Sequence, residues 1–188
     1  MFRDLKADEI ECKVAQINQS GLSLLLYKTA RTDMQILDET VTPYNWQCEY
    51  KEVKNNMYCG ISIYDVTKKE WITKWDCGVE SSFGDKEKGE ASDAFKRAGF
   101  KWGIGIELYT APFIWIPADM CNIKQDKGKF ICRDKFVVTN IEIKDKEIIK
   151  LTIANLNTKK YVFVYSKGEI KDATNRSSEW YWNRLHNS

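Results

Sequence analysis

Histidine and closely spaced cysteines are scarce in this sequence, and their scarcity bears on metal binding. The 188 residues include one histidine, His186, and six cysteines that lie far apart and form no C-x-x-C pair. Protein zinc sites use closely spaced cysteine and histidine ligands, so we expect no zinc site. The chain also lacks the G-x-x-x-x-G-K-S/T loop that cradles nucleotide phosphates. We therefore expect no metal, no ATP and no other cofactor.

Long apolar runs are missing as well. The first ten residues, MFRDLKADEI, contain no apolar run, and the apolar segment APFIWIP at 111–117 is too short to cross a bilayer. We expect neither a secretory signal nor a membrane span, and hence a cytoplasmic protein. In that compartment the scattered cysteines are expected to be reduced.

The charge balance gives no overall reason to expect a nucleic-acid partner. The net charge is +2, and 43% of the residues are hydrophobic, which is typical of a folded domain. Residues 1–119 carry 15 Lys and Arg against 19 Asp and Glu, a net charge of −4, whereas residues 120–188 carry a net charge of +6. A polyanion would therefore bind to local patches, with an affinity that depends on salt.

The middle of the sequence predicts an α+β fold built on an antiparallel β-meander. Apolar and polar residues alternate from Tyr44, in the stretch MYCGISIYDV at 57–66 and from Trp71, as in half-buried strands. Residues 86–102 then carry an apolar stripe at helical spacing, formed by Ala91, Ala94, Phe95, Ala98 and Trp102. We predict a β-β-β-α core in which this long helix packs across the meander. A strand, a turn, a second strand and a short helix at 29–42 precede it.

The remainder of the chain predicts a second, smaller β-meander. Strand patterns recur near 135–144, 147–155 and 159–166, after a loop at 121–134. The segment APFIWIP is predicted to be either an edge strand or a packing surface for a neighbour. The predicted organisation is a core at 1–118, a β-meander at 119–166 and a polar tail at 167–188. The role of Trp180, Tyr181 and Trp182 in that tail is not predicted.

The predicted long helix carries cations on the side away from its apolar stripe. Lys96, Arg97 and Lys101 are expected to project together, with Arg97 and Lys101 one turn apart. Such a row can bind phosphates. The alternative is an ordinary solvated helix face on which Asp93 pairs with Arg97.

The segment ASDAFKRAGFKWGIG, after a meander of strands, resembles the single-strand annealing proteins of the Rad-fifty-two superfamily, especially the compact phage and bacterial members. Their fingerprint is a Lys-Arg pair on this helix followed by an aromatic-Gly ending. The upstream stretch SLLLYKTARTDMQILDE before PYNW is also similar, so the resemblance covers about residues 10–117.

The resemblance implies ATP-independent binding of single-stranded DNA and annealing of complementary strands in homologous recombination and DNA repair, without enzymatic catalysis. It also implies a homo-oligomeric ring, a phage-encoded protein in the bacterial cytoplasm, and a single-strand-binding protein or an exonuclease as a partner. By position, Lys96 and Arg97 match the helix pair and Arg31 matches the groove arginine. The full set of candidate DNA-binding residues is Lys28, Arg31, Lys88, Lys96, Arg97 and Lys101. Phe100 departs from the pattern, because some members have a basic residue there.

Two other classes of function compete with DNA annealing. Acidic residues cluster before and within the long helix, as in a metal-dependent nuclease; these are Glu80, Asp85, Glu87, Glu90 and Asp93. The third possibility is a structural or assembly module that binds no DNA and uses residues 111–117 as its interface.

Overall fold

A computed structural model describes residues 1–79 and 86–170. The described residues form two compact units: the first lies within Met1–Leu5 and Lys28–Ile106, and the second within Lys6–Tyr27 and residues 107–170. The helices and strands are α1 (Ala30–Val41), α2 (Lys86–Lys101), β1 (Glu11–Asn18), β2 (Gly21–Tyr27), β3 (Trp46–Val53), β4 (Asn56–Asp65), β5 (Glu70–Cys77), β6 (Ile114–Pro117), β7 (Ile123–Asp126), β8 (Lys129–Cys132), β9 (Phe136–Lys144), β10 (Glu147–Asn155), β11 (Lys160–Ser166) and β12 (Glu169–Ile170).

The first unit contains the predicted β-β-β-α core. Strands β3, β4 and β5 form an antiparallel sheet with β4 at its centre, and α2 packs on β4 and β5. Ala94, Phe95 and Ala98 of α2 are fully buried, as are Cys59 and Ile61 of β4. The apolar stripe therefore contacts one face of the meander, and the predicted α+β architecture is confirmed.

Helix α1 lies between the predicted limits of 29 and 42. The Thr29 side chain caps its first turn by accepting a hydrogen bond from the Thr32 amide at 3.3 Å. The helix ends at Val41, the next residue Thr42 has a φ of 66°, and Pro43 cannot continue the helix. Its buried residues include Ile36 and Leu37, which give α1 an apolar side.

The second unit is built on a seven-stranded sheet in the order β12-β11-β10-β9-β1-β2-β6. The predicted C-terminal meander is present as β9, β10 and β11, but it is part of this larger sheet. The sheet curls so that β11 contacts β6. Of the two interpretations of APFIWIP, the structure shows the edge strand, because β6 pairs with β2 alone among the described strands.

The division of the chain differs from the predicted core at 1–118. Residues 6–27 and 107–118 belong to the second unit, since β1 pairs with β2 and β9 while β6 pairs with β2. The predicted loop at 121–134 was also wrong, because it contains the hairpin of β7 and β8. Its turn has positive φ at Lys127 and Gly128, as two-residue hairpin turns require. Residues 171–188 of the predicted tail lie outside the described residues.

Candidate nucleic-acid interface

Two cations of α2 meet one carboxylate of β5. Arg97 Nε lies 3.4 Å from Asp76 Oδ1, and Lys101 Nζ lies 3.7 Å from Asp76 Oδ2. Both distances exceed those of a well-formed charge-assisted hydrogen bond. The side chains of Arg97 and Lys101 remain 42% and 50% exposed. Asp76 therefore orients the two cations while leaving donors on each that can bind a phosphate.

Lys74 is a third cation at the same place, and it was not among the residues predicted to bind DNA. It precedes Asp76 by two residues on β5, so both side chains lie on the α2 side of the sheet. Its Nζ donates to the Lys101 carbonyl oxygen at 2.9 Å and lies 4.4 Å from the centroid of the Trp102 ring. The signal was a lysine alternating with the aromatic residues of a strand. We call Lys74, Asp76, Arg97 and Lys101 the α2–β5 cluster; three cations and one carboxylate give it a formal charge of +2.

The two residues of the predicted Lys-Arg pair contact different carboxylates. Lys96 Nζ lies 3.5 Å from Asp93 Oδ1, one turn earlier on α2, so Asp93 pairs with Lys96 and not with Arg97. Asp93 also accepts a hydrogen bond from the Val79 amide at 3.1 Å. Consecutive helix residues project about 100° apart, which separates Lys96 from the α2–β5 cluster. The structure thus brings together Arg97 and Lys101 of the predicted row.

Lys28 was predicted to bind DNA, but the structure buries its side chain. Its side chain is 1% exposed and its Nζ donates to the Asp33 carboxylate and, at 3.1 Å, to the Lys96 carbonyl oxygen. The ammonium group also lies 4.1 Å from the centroid of the Phe100 ring. A lysine held in this way cannot reach a phosphate on the surface. It instead ties the start of α1 to the second half of α2.

Asp33, the partner of Lys28, is buried as well, and its burial changes its pKa. Desolvation raises the pKa of Asp33 to about 6, and the positive charge of Lys28 opposes the rise. Asp33 is therefore ionised at neutral pH. The pair is a buried ion pair whose members depend on each other, because each would otherwise be an uncompensated charge in the interior.

The two remaining candidate residues lie in the first turns of their helices. Arg31 is exposed in the first turn of α1, close in sequence to the buried Lys28. Lys88 is exposed in the first turn of α2, about 14 Å along the helix from Arg97. Lys88 is thus too far along the helix to belong to the cluster.

No family model, curated protein or solved structure matches this chain significantly. Membership in the Rad-fifty-two superfamily accordingly remains a prediction from the residues quoted above.

Two of the carboxylates considered for a nuclease, Glu90 and Asp93, have structural partners, whereas Glu87 is exposed in the first turn of α2. Glu90 Oε1 accepts a hydrogen bond from the Met57 amide at 2.7 Å, which fixes α2 to β4. Asp93 accepts from Val79 and pairs with Lys96. Glu80 and Asp85 lie outside the described residues. Across residues 1–79 and 86–170, no three Asp, Glu, His or Cys side chains are grouped so as to hold a metal ion.

No helix within the described ranges is both long and apolar enough to cross a membrane. All six cysteines are free thiols, two of them buried and one, Cys48, exposed. Hydrogen bonding from Cys59 lowers the pKa of the Cys48 thiol to about 7. Cys48 lies on β3, on the same side of the sheet as Cys59.

Proposed function

We propose that this chain binds single-stranded DNA and anneals complementary strands without ATP, as a member of the Rad-fifty-two superfamily. The observation that carries the proposal is the α2–β5 cluster. Lys101 is exposed, and Arg97 and Lys74 are partly exposed. The three cations are mounted on a helix and a strand that pack against each other, and a single carboxylate, Asp76, lies among them. Such an arrangement suits the repeated phosphates of a nucleic-acid backbone.

The chemistry of annealing fits this kind of surface. Two complementary strands repel each other through their phosphates, so a protein that neutralises one strand lowers the barrier to pairing. No bond is cleaved and no nucleotide is hydrolysed. The protein has to hold a strand extended with its pairing edges free, and the rigid mounting of Arg97 and Lys101 favours that. Arg31 and Lys96 are further candidates for phosphate contacts on neighbouring parts of the first unit.

The proposal includes a homo-oligomeric ring in the bacterial cytoplasm, with a single-strand-binding protein or an exonuclease as a partner. Strands β3 and β5 are the edges of the three-stranded sheet, and seven of the eight residues of β3 are exposed. An open edge strand offers unpaired amides and carbonyls to a neighbouring chain. A head-to-tail contact of this kind closes into a ring when its rotation allows.

The test is an annealing assay without ATP, using two complementary labelled oligonucleotides, with the oligomeric mass measured in parallel by light scattering. We expect annealing faster than the spontaneous rate and a multimeric mass. Protein that binds no DNA at low salt would instead favour a structural module. DNA cleavage that requires a divalent metal and is lost in Glu90→Gln or Asp93→Asn would favour the nuclease.

A further inference from the structure

The face of the three-stranded sheet that points away from α2 is rich in aromatic side chains. Cross-strand partners share a face, and Cys59 and Ile61 point toward α2, so the alternate residues point away from it. We call this surface the open face. Its side chains are Gln47, Glu49, Lys51 and Val53 of β3, Asn56, Tyr58, Ser62 and Tyr64 of β4, and Trp71, Thr73, Trp75 and Cys77 of β5.

Trp75 forms a flat platform at the centre of the open face. It pairs with Gly60 across the strands, and a Cβ atom added at Gly60 would lie 2.5–2.7 Å from three atoms of the indole ring. The ring therefore lies over the glycine with one face against the backbone. Only a residue without a side chain permits this approach. The opposite ring face points away from the backbone of the sheet.

A cation already lies over this platform. Lys51 Nζ is 4.4 Å from the centroid of the Trp75 ring and 3.3 Å from Glu49 Oε2. The side chains of Lys51 and Glu49 are both 59% exposed, so their ion pair contributes little and is easily exchanged. Lys51 can therefore move to a phosphate while the indole face receives a base.

A second aromatic group lies four residues along β5, about 13 Å from the first. Trp71 is 43% exposed and packs edge-to-face against Tyr64, with ring centroids 5.4 Å apart. Between the two groups, the hydroxyls of Ser62 and Thr73 share a hydrogen bond of 2.7 Å. The open face thus alternates stacking rings with polar groups along one strand.

The composition of the open face distinguishes a nucleic acid from a second protein. Val53 is the only aliphatic side chain that β3, β4 and β5 present there, and it lies at the end of its strand. Interfaces between copies of one chain are more apolar and are depleted of Lys and Glu. Aromatic rings on an antiparallel sheet, with basic side chains nearby, are instead one of the established ways in which proteins bind unpaired bases.

We propose that the open face stacks the unpaired bases of single-stranded DNA on Trp71 and Trp75. This inference rests on the proposed function, since it assigns a site to the bases while the α2–β5 cluster binds phosphates. The two sites flank β5, one on each side of the sheet. Stacking uses the flat faces of the bases and leaves their hydrogen-bonding edges available, so it is compatible with annealing.

The test compares two labelled probes, an oligo(dT) and an abasic oligonucleotide of the same length, by fluorescence anisotropy at low salt. We expect the parent protein to prefer oligo(dT), and Trp71→Ala to weaken oligo(dT) binding about fivefold or more. Binding of the abasic probe and the salt dependence should not change. Trp71→Phe should restore most of the affinity, because it keeps a ring. Phe113→Ala removes an exposed aromatic from the second unit and should change neither probe.

The outcomes separate this inference from the proposed function. A parent that binds both probes equally, or a folded Trp71→Ala that keeps its full affinity for oligo(dT), overturns the open-face site and leaves phosphate binding intact. A lower mass in light scattering for Trp71→Ala, with DNA affinity unchanged, would identify the open face as a subunit interface and also overturn it. A parent that binds neither probe refutes both proposals.

Discussion

Removing the two helix cations of the α2–β5 cluster should change how DNA affinity depends on salt. The perturbation is the double variant Arg97→Ala/Lys101→Ala. Both side chains are at least two-fifths exposed, and their contacts with Asp76 are 3.4 and 3.7 Å long. Exposed ion pairs of this kind contribute about 0–1 kcal/mol to the free energy of unfolding. The variant should therefore fold like the parent.

The effect on binding follows from counterion release. Each phosphate contact to a single strand contributes about 0.7 to the slope of log affinity against log salt. Loss of two contacts should flatten the slope by about 1.4. Over a rise from about 50 to about 200 mM salt, the parent should then lose about sevenfold more affinity than the variant.

The assay is a salt titration of binding to single-stranded DNA, followed by anisotropy, with circular dichroism to verify folding. The matched control is Lys68→Ala/Lys69→Ala, in the exposed turn after β4, which also removes two positive charges. Its slope should stay that of the parent. If both double variants keep the parent slope, or both lose the same amount, the α2–β5 cluster is not the phosphate site.

Three further predictions follow from single contacts. Asp76→Asn should tighten DNA binding about threefold at low salt, because the repulsion between a carboxylate and a phosphate about 7 Å away in water is about 0.6 kcal/mol, and the amide retains an oxygen for the Cys77 amide. Unchanged or weaker binding in the titration above would contradict this. Lys28→Met or Asp33→Leu alone should lower the free energy of unfolding by about 3–5 kcal/mol, whereas the double variant should be far less destabilised. Urea unfolding of the three variants measures this, and a double variant whose loss of stability equals the sum of the two single losses would argue against a coupled pair. Cys48 should be the first thiol alkylated by iodoacetamide, with a rate that climbs as the pH rises through about 7 and the thiolate forms; peptide mass spectrometry showing another cysteine labelled first would refute this.

The central meander and its helix were predictable because their signals are local. Alternation in β3, β4 and β5 and the 3.6-residue stripe on α2 each lie within one element. The partners of β1 and β2 were not predictable in the same way. Strand β1 pairs with β9, more than a hundred residues later in the chain, and a strand pattern by itself names no partner.

The candidate site was only partly predictable for a similar reason. Arg97 and Lys101 belong to one helix, and their proximity follows from helical spacing. Lys74 joins them only because β5 packs under α2, which is a tertiary contact. The burial of Lys28 could not be predicted, because it depends on Phe100 and the Lys96 carbonyl, about seventy residues away in the chain. A lysine at the start of a short helix is otherwise typical of the surface.

The burial of Lys28 gives the first unit an internal reporter of its own opening. An amine-reactive reagent should acylate Lys101 in the native protein, because that side chain is half exposed. It can acylate Lys28 only in molecules whose first unit has opened, since the folded side chain is inaccessible. The ratio of the two labelling rates then measures the population of the opened unit, and hence the free energy of its local unfolding. That measurement concerns the first unit alone, whatever the state of the seven-stranded sheet.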